Sequence, residues 1–445
     1  LIFVSNKKIK KMNTTIKNFG MLILTAGLLT TTACKKETGC TDPNARNYNP
    51  DAVEDDNSCE TVPYTITTTD INGVSYERVS GTFDENYTFT SSKKWLLSGG
   101  IFVDANATLT IQAGTEIYAA DDQTTPFLSI LRGGKINAVG TATSPIVMTT
   151  IKSVTGTPAA GDWGGIIING NAQINNGTEA EGEGGTGKYG GSNDNDNSGT
   201  IKYVRVEYAG KLLGTDNELN GFSFNGVGSG TTVEYIQAYR GADDGIEFFG
   251  GTVSVKYAVS TGNKDDSFDW TYGWRGNGQF WVVNQEVGGG DRGIEADNNG
   301  NDNTLSPYSN PTIANVTLIG IDDGDASNTG MRLREGTKGT IHNAIVTGFP
   351  SSGVRVSDAQ TTTNMTNGEL ALKNSNVFTN GTNFRDCATF SGDMTNSTTI
   401  LTLTGYVGTS TTNAADPTTL GSWFSPGTFV GAVESTNDWT AGWTK

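Results

Sequence analysis

The amino-acid sequence predicts an all-β fold: a right-handed parallel β-helix with a small N-terminal disulfide module and a C-terminal cap. Three observations predict it. Gly accounts for 59 of the 445 residues and Asn for 41, a composition of turns rather than of helices. A strand pattern recurs from residue 200, as TIKYVRVEYAG (200–210), TVEYIQAYRG (232–241), TVSVKYAVSTG (252–262), TIANVTLIG (312–320) and TIHNAIVTG (340–348). Each copy alternates with period two and ends at Gly. A second strand interleaves with the first, as NGFSFNG (220–226), DDGIEFFGG (243–251), DDSFDWTYG (265–273), DRGIEAD (291–297), TGMRLREG (329–336) and SSGVRVSD (351–358). Such units bury their apolar faces only by stacking on one another, which is the logic of a solenoid. A β-sandwich does not require one motif at a near-constant period.

Residues 1–33 read as an address. Met12 is the expected start, Lys17 gives a basic region, and residues 19–29 form an apolar stretch of signal-peptide length. The small residues Thr32 and Ala33 precede Cys34 as a lipoprotein signal peptidase requires, so Cys34 is expected to be acylated. An ordinary secretory signal is the alternative. The expected product is an exported outer-membrane lipoprotein, exposed at the cell surface and held by its lipid. Removing residues 1–33 takes away five Lys and no acid, so the formal charge moves from −17 to −22. That charge excludes nucleic acid as a partner, because nothing would neutralise a run of phosphates.

Residues 34–62 hold Cys40 and Cys59 around a polar stretch too poor in apolar residues for its own core. In an exported protein that loop is expected to close with a disulfide. Its acids Asp42, Asp51, Asp55 and Asp56 read as solvated, with Ca²⁺ as the alternative. An N-terminal β segment (63–93) leads into the β-helix (94–385), and C-terminal strands or a cap (386–445) follow. Cys387 reads as a buried thiol. Asn315 and Asn343 share a repeat position, where inward Asn side chains are expected to bond to one another along the stack.

Alignment of the second strand places Ile246, Phe268, Ile294, Met331 and Val354 at one inward position. Their neighbours Glu247, Asp269, Glu295, Arg332 and Arg355 then point outward. Stacked strands lie about 4.8 Å apart, so three carboxylates meet two guanidiniums in one column. Asp243, Asp244, Asp265, Asp266, Asp291 and Asp297 are close by. Carboxylates so crowded need a counter-ion or raised pKa values, and Ca²⁺, which takes six to eight oxygens, suits Asp243, Asp244, Asp265, Asp266 and Asp297. No organic cofactor is indicated.

Three readings follow. The column is a solvated charge ladder; or it is a polysaccharide-binding face, with Glu247, Asp269, Glu295, Arg332 and Arg334 as contacts and Trp270 and Trp274 stacked on sugar rings; or it is an enzyme. The enzyme would be a polysaccharide lyase or glycoside hydrolase of the pectin-lyase-like β-helix type, with Asp244, Asp265, Asp266 and Arg332 as catalytic candidates. Such hydrolases carry a His where this sequence has Asp291-Arg292-Gly293, and the one His here, His342, is on the other strand. Asn193 to Gly199 resembles the start of an EF-hand loop but has Arg205 where the closing Glu belongs.

Several segments resemble a family of exported surface proteins of Bacteroidota: WLLSGGIFVDANATLTIQAGTEI from residue 95, LRGGKINAVGTATSPIVMTT, GDWGGIIINGNA, YVRVEYAG, DDGIEFFGGTV and the terminal FVGAVESTNDWTAGW. The resemblance spans roughly residues 93 to 445. It implies a right-handed parallel β-helix and a lipoprotein or secreted location, and it supplies no mechanism. Relatives are generally of uncharacterised function, some labelled "multidrug transporter" and many carrying a type IX secretion sorting domain.

Overall fold

The computed structural model describes residues 36–43, 45–215 and 217–445, so the expected leader and Cys34 lie outside the described residues. Two units are distinguishable, one ending at Thr61 and one from Val62 to Lys445. In the first, Cys40 and Cys59 form a disulfide, and the two-residue strands Thr38–Gly39 and Glu54–Asp55 pair in parallel. Among the described residues no helix is long and apolar enough to cross a membrane.

The second unit is a parallel β-helix. It opens with an antiparallel pair, Tyr64–Ile71 on Val74–Phe83, and every later rung of the large sheet pairs in parallel. Each coil contributes to three faces. The strand Thr232–Tyr239 shows the first two: Thr232 to Glu234 pair with one run of the neighbouring coil, the backbone bends at Tyr235, and Ile236 to Tyr239 pair with another. A turn then leads to the third face, here Ile246–Phe249 between Phe222–Asn225 and Phe268–Thr271.

From Tyr203 onward the bend between the first and second faces is left-handed in each successive coil. Tyr203, Tyr235, Tyr257, Phe280, Asn315, Asn343 and Asn374 occupy it with φ between 50° and 60°. A left-handed L-residue costs roughly 1–2 kcal/mol. Asn tolerates that region through its short polar side chain, whereas the aromatics are compensated by stacking. Ring centroids are 4.2 Å apart for Tyr203–Tyr235, 4.3 Å for Tyr235–Tyr257 and 4.9 Å for Tyr257–Phe280.

The expected Asn–Asn ladder is not what forms. Asn315 donates to the carbonyls of Gly427 and Phe429, Asn343 to Ala415 and Asn374 to Asn413. These partners belong to the C-terminal segment. Residues 387–392 close the stack, with Cys387 and Phe390 buried in the core. Burial pushes the Cys387 thiol up to about 12, consistent with an inert packing role. From there the chain runs back along the bends. Ser425 N donates to Gln279, Trp439 packs edge-on against Tyr257, Trp443 packs against Tyr203 and Tyr235, and Lys445 reaches Glu207.

The interior is a continuous apolar column. Ile246, Phe268, Ile294, Met331 and Val354 are fully buried within it, so the side chains flanking them face out of the coil. Gly fits just before the inward residue because successive coils approach closely there: a Cβ on Gly245 would lie 2.6 Å from the Ser267 carbonyl oxygen. That close approach fixes the backbone carrying Asp244 on one side and Glu247 on the other.

Candidate functional site

The third face presents three outward columns. The first runs Asn220, Asp244, Asp266, Arg292, Thr329 and Ser352, each two residues before an inward side chain. The second runs Ser223, Glu247, Asp269, Glu295, Arg332, Arg355 and Arg385. The third holds Asn225, Phe249, Thr271, Asp297, Arg334 and Ser357. Read along the helix axis, the face is acidic, then ion-paired, then basic.

The face is less solvated than an outward column suggests. Glu247 is 8% exposed, Glu295 6% and Asp266 3%. Two insertions, residues 170–198 and 211–219 on either side of the coil strand Gly199–Glu207, fold onto the face, and the short turn Glu183–Gly185 of the first brings Glu183 to Asn220, whose amide also donates to Glu247 at 2.5 Å. The reading of a solvated ladder is therefore corrected: the carboxylates leave the coil but meet a flap.

The ion-paired rung is centred on Arg292, a residue the sequence reading left out of the site. Its Nε lies 2.7 Å from Glu295 Oε1, too bent for a hydrogen bond, and its Nη1 lies 3.7 Å from Asp266 and contacts Asp291. Arg334 bonds Asp297 at 2.9 and 3.1 Å and also contacts Glu295. Asp297, expected as a metal ligand, is thus taken by Arg334 rather than aimed at the other acids.

The acidic rungs have no such partners. Among the described residues, Asp244, Glu247 and Asp269 have no Lys or Arg at ion-pair distance, and the buried Oδ1 atoms of Asp266 and Asp269 accept no hydrogen bond. One carboxylate oxygen from each of Asp244, Glu247 and Asp269 falls within 4.8 Å of the others. The same holds for Asp266, Asp269 and Glu295, and for Asp243, Asp244 and Asp265. Asp269 belongs to two of these sets, and hard oxygen donors around buried, unpartnered carboxylates are what Ca²⁺ takes. The donor set therefore fits Ca²⁺ with Glu247 and Asp269 added and Asp297 removed.

Burial raises every one of these groups. It pushes Asp243 up to about 7, helped by Asp265. Asp244, Glu247, Asp266 and Asp269 are held well above the ordinary carboxylate range by burial and then by the charge of neighbouring carboxylates, Glu183 and Asp243 for Glu247 and Glu295 and Asp265 for Asp266. Arg332 moves the other way, lowered by burial and by Arg292, Arg355 and Arg334, and its buried Nε has no partner.

A pH dependence follows. Carboxyls whose folded pKa exceeds the unfolded value bind more protons in the folded state, so stability falls as pH rises between the two. In EDTA, the melting temperature is expected to fall as pH rises from about pH 4, the unfolded carboxyl range, through about pH 7, to which Asp243 is raised, with part of the loss removed in an Asp269→Asn, Glu247→Gln variant. Differential scanning fluorimetry across that range checks it. A flat profile for the parent would contradict the raised carboxyls.

Trp270 and Trp274 are not contacts for sugar rings. Trp270 is 1% exposed and Trp274 fully buried, on the inward side of the coil, as is Trp281. Their ring nitrogens donate to Thr337, Val253 and Val255. Asp265 is exposed beside Asp243, whereas its neighbour Asp266 is buried among the acids. His342 sits on the first face and meets Asn374 at 3.3 Å, away from the acids. Asp194 and Asp196 of the EF-hand-like stretch serve structure: Asp194 pairs with Arg275 at 2.8 Å, and Asp196 accepts the Asn171 backbone N–H.

These features define a class, a parallel β-helix bearing a partly covered groove that is acidic at one end and basic at the other. The chain belongs to the pectate-lyase like beta helix domain family, whose model matches residues 81–444. Neither a curated protein nor a solved structure matches it.

Proposed function

We propose that the chain is an exported, lipid-anchored cell-surface protein that binds acidic polysaccharide on its third face through Ca²⁺. The observation that carries this reading is the set of buried Asp244, Glu247 and Asp266 with half-buried Asp269, in which the buried Oδ1 atoms of Asp266 and Asp269 lack any hydrogen-bond donor. Buried uncompensated charge of this kind is costly, and a divalent cation removes the cost. Asp244 and Glu247 of one coil and Asp269 of the next would hold the ion, with Asp266 beside Asp269. The arginines Arg332, Arg355 and Arg385, further along the same column, face a polymer's carboxylates or sulfates as donors.

The expected result is that Ca²⁺ raises the melting temperature of the EDTA-treated protein by several degrees and that retention on immobilised acidic polysaccharide requires it. Asp269→Asn should lose both effects while staying folded. Absence of any calcium effect on melting and retention in the parent would remove the metal from the proposal.

A polysaccharide lyase is the second reading, favoured by Arg332. A guanidinium with an unpartnered buried Nε, lowered by burial and three neighbouring arginines, suits removal of a proton next to a sugar carboxylate. Incubation with acidic polysaccharides and detection of unsaturated products, lost in Arg332→Lys, separates catalysis from binding alone.

A further inference from the structure

Beside the acidic column, under the flap, lies a partly enclosed cavity of about 140 Å³. Three of its lining side chains are aromatic: Tyr189 from the flap, Phe249 from the third column and Tyr272 just beyond it. The rings are tilted rather than stacked, with centroids 6.3 Å apart at 52° for Tyr189–Phe249 and 6.0 Å apart at 37° for Phe249–Tyr272.

The rest of the lining that matters is polar. Glu181 and Glu183 lie on the flap, and neither has a Lys or Arg at ion-pair distance among the described residues. The nearby Lys188 is engaged by Glu179 at 2.8 Å. Burial, with the acids Asp243 and Glu218 nearby, pushes the Glu183 carboxyl up to about 8. Asn225 is 2% exposed, and although its amide nitrogen donates to Asn169, its Oδ1 accepts nothing.

We infer that this cavity binds a small organic ammonium ion carrying at least one N–H. Aromatic faces attract a cation through their quadrupole, most strongly when it is desolvated. Glu183 supplies the countercharge, its proton leaving to solvent as the cation enters, and the orphan Asn225 Oδ1 accepts the N–H. An inorganic ion gains nothing from the apolar ring area, and a sugar hydroxyl does not answer the uncompensated carboxylates. By volume the space admits roughly four or five heavy atoms, counting about 30 Å³ for each water-sized group. The cavity lining shares no residue with the proposed Ca²⁺ ligands Asp244, Glu247, Asp266 and Asp269.

The test is calorimetric titration of the full chain with n-propylammonium chloride, in EDTA and without polysaccharide, against KCl and tetramethylammonium chloride. Saturable one-site binding of propylammonium is expected, with K⁺ and tetramethylammonium at least tenfold weaker. Tyr272→Leu, which keeps an apolar side chain and removes the ring, and Glu183→Gln, which keeps shape and removes charge, should each weaken binding at least fivefold. Should Tyr272→Leu fail to fold, the near-isosteric Glu183→Gln alone decides. No saturable binding, equal affinity for K⁺ or tetramethylammonium, or unchanged affinity in Glu183→Gln overturns the proposal. Failure here leaves the calcium-dependent retention experiment untouched.

Discussion

Arg292→Ala is expected to lower stability by about 3 kcal/mol at pH 8, within the range for removing one partner of a buried ion pair. Arg292 is the cation closest to Asp266 and also contacts Glu295, and its side chain is 14% exposed. Without it, the buried Asp266 has no cation at ion-pair distance among the described residues, and Glu295 keeps only Arg334, so the acids at the middle of the face repel one another with less opposite charge between them. The loss should shrink toward pH 5, because carboxyls already raised by burial take up protons there and stop repelling. Added Ca²⁺ should restore part of it if the ion occupies the Asp266–Asp269 level. Urea unfolding at the two pH values checks the prediction, and an equal loss at both would show that Arg292 acts through packing alone.

Trp274→Ala carries the other large effect, about 4 kcal/mol, in line with large aromatic truncations in close-packed cores. Trp274 stacks on Phe248 at 4.2 Å, tilts against Trp270 at 5.5 Å and donates from its ring nitrogen to Val253 at 3.0 Å. The substitution opens a cavity inside the coil and leaves a buried carbonyl without its donor. Coils around residues 246–281 should lose amide protection first, since a solenoid's contacts run only between neighbours. Hydrogen exchange resolves that pattern. Were Trp274 a ligand contact instead, the variant would keep its stability and lose only retention on polysaccharide.

The repeat itself was legible because its inward residues alternate strictly and recur at one position, which is why Ile246, Phe268, Ile294, Met331 and Val354 align by eye and are fully buried. The column beside them was legible for the same reason. Its burial was not, because that depends on where the insertions at 170–198 and 211–219 lie, and their Gly, Asn and acidic residues carry no periodicity. A signal existed in their isolated apolar residues, Tyr189, Leu213 and Leu219, of which Tyr189 and Leu219 are buried. The tryptophans misled because FDWTYG alternates like any strand: counting outward from Asp269 puts Trp270 inside, and that count was available. Arg292 was recoverable by extending the alignment two residues upstream, which brings it into line with Asp244 and Asp266. The partners of Asn315 and Asn343 were not recoverable, because they lie about a hundred and about seventy residues further along the chain.

The returning C-terminal segment has a consequence for how this molecule can change. A solenoid is ordinarily extensible: one coil can be duplicated or lost, since each touches only its neighbours. Here residues 413 to 445 touch the bends at Asn374, Asn343, Asn315, Phe280, Tyr257, Tyr235 and Tyr203 in turn. Adding a coil among them would displace every later contact by about 4.8 Å. The tail is thus a ruler laid against the stack, and it converts an open-ended architecture into one of fixed length.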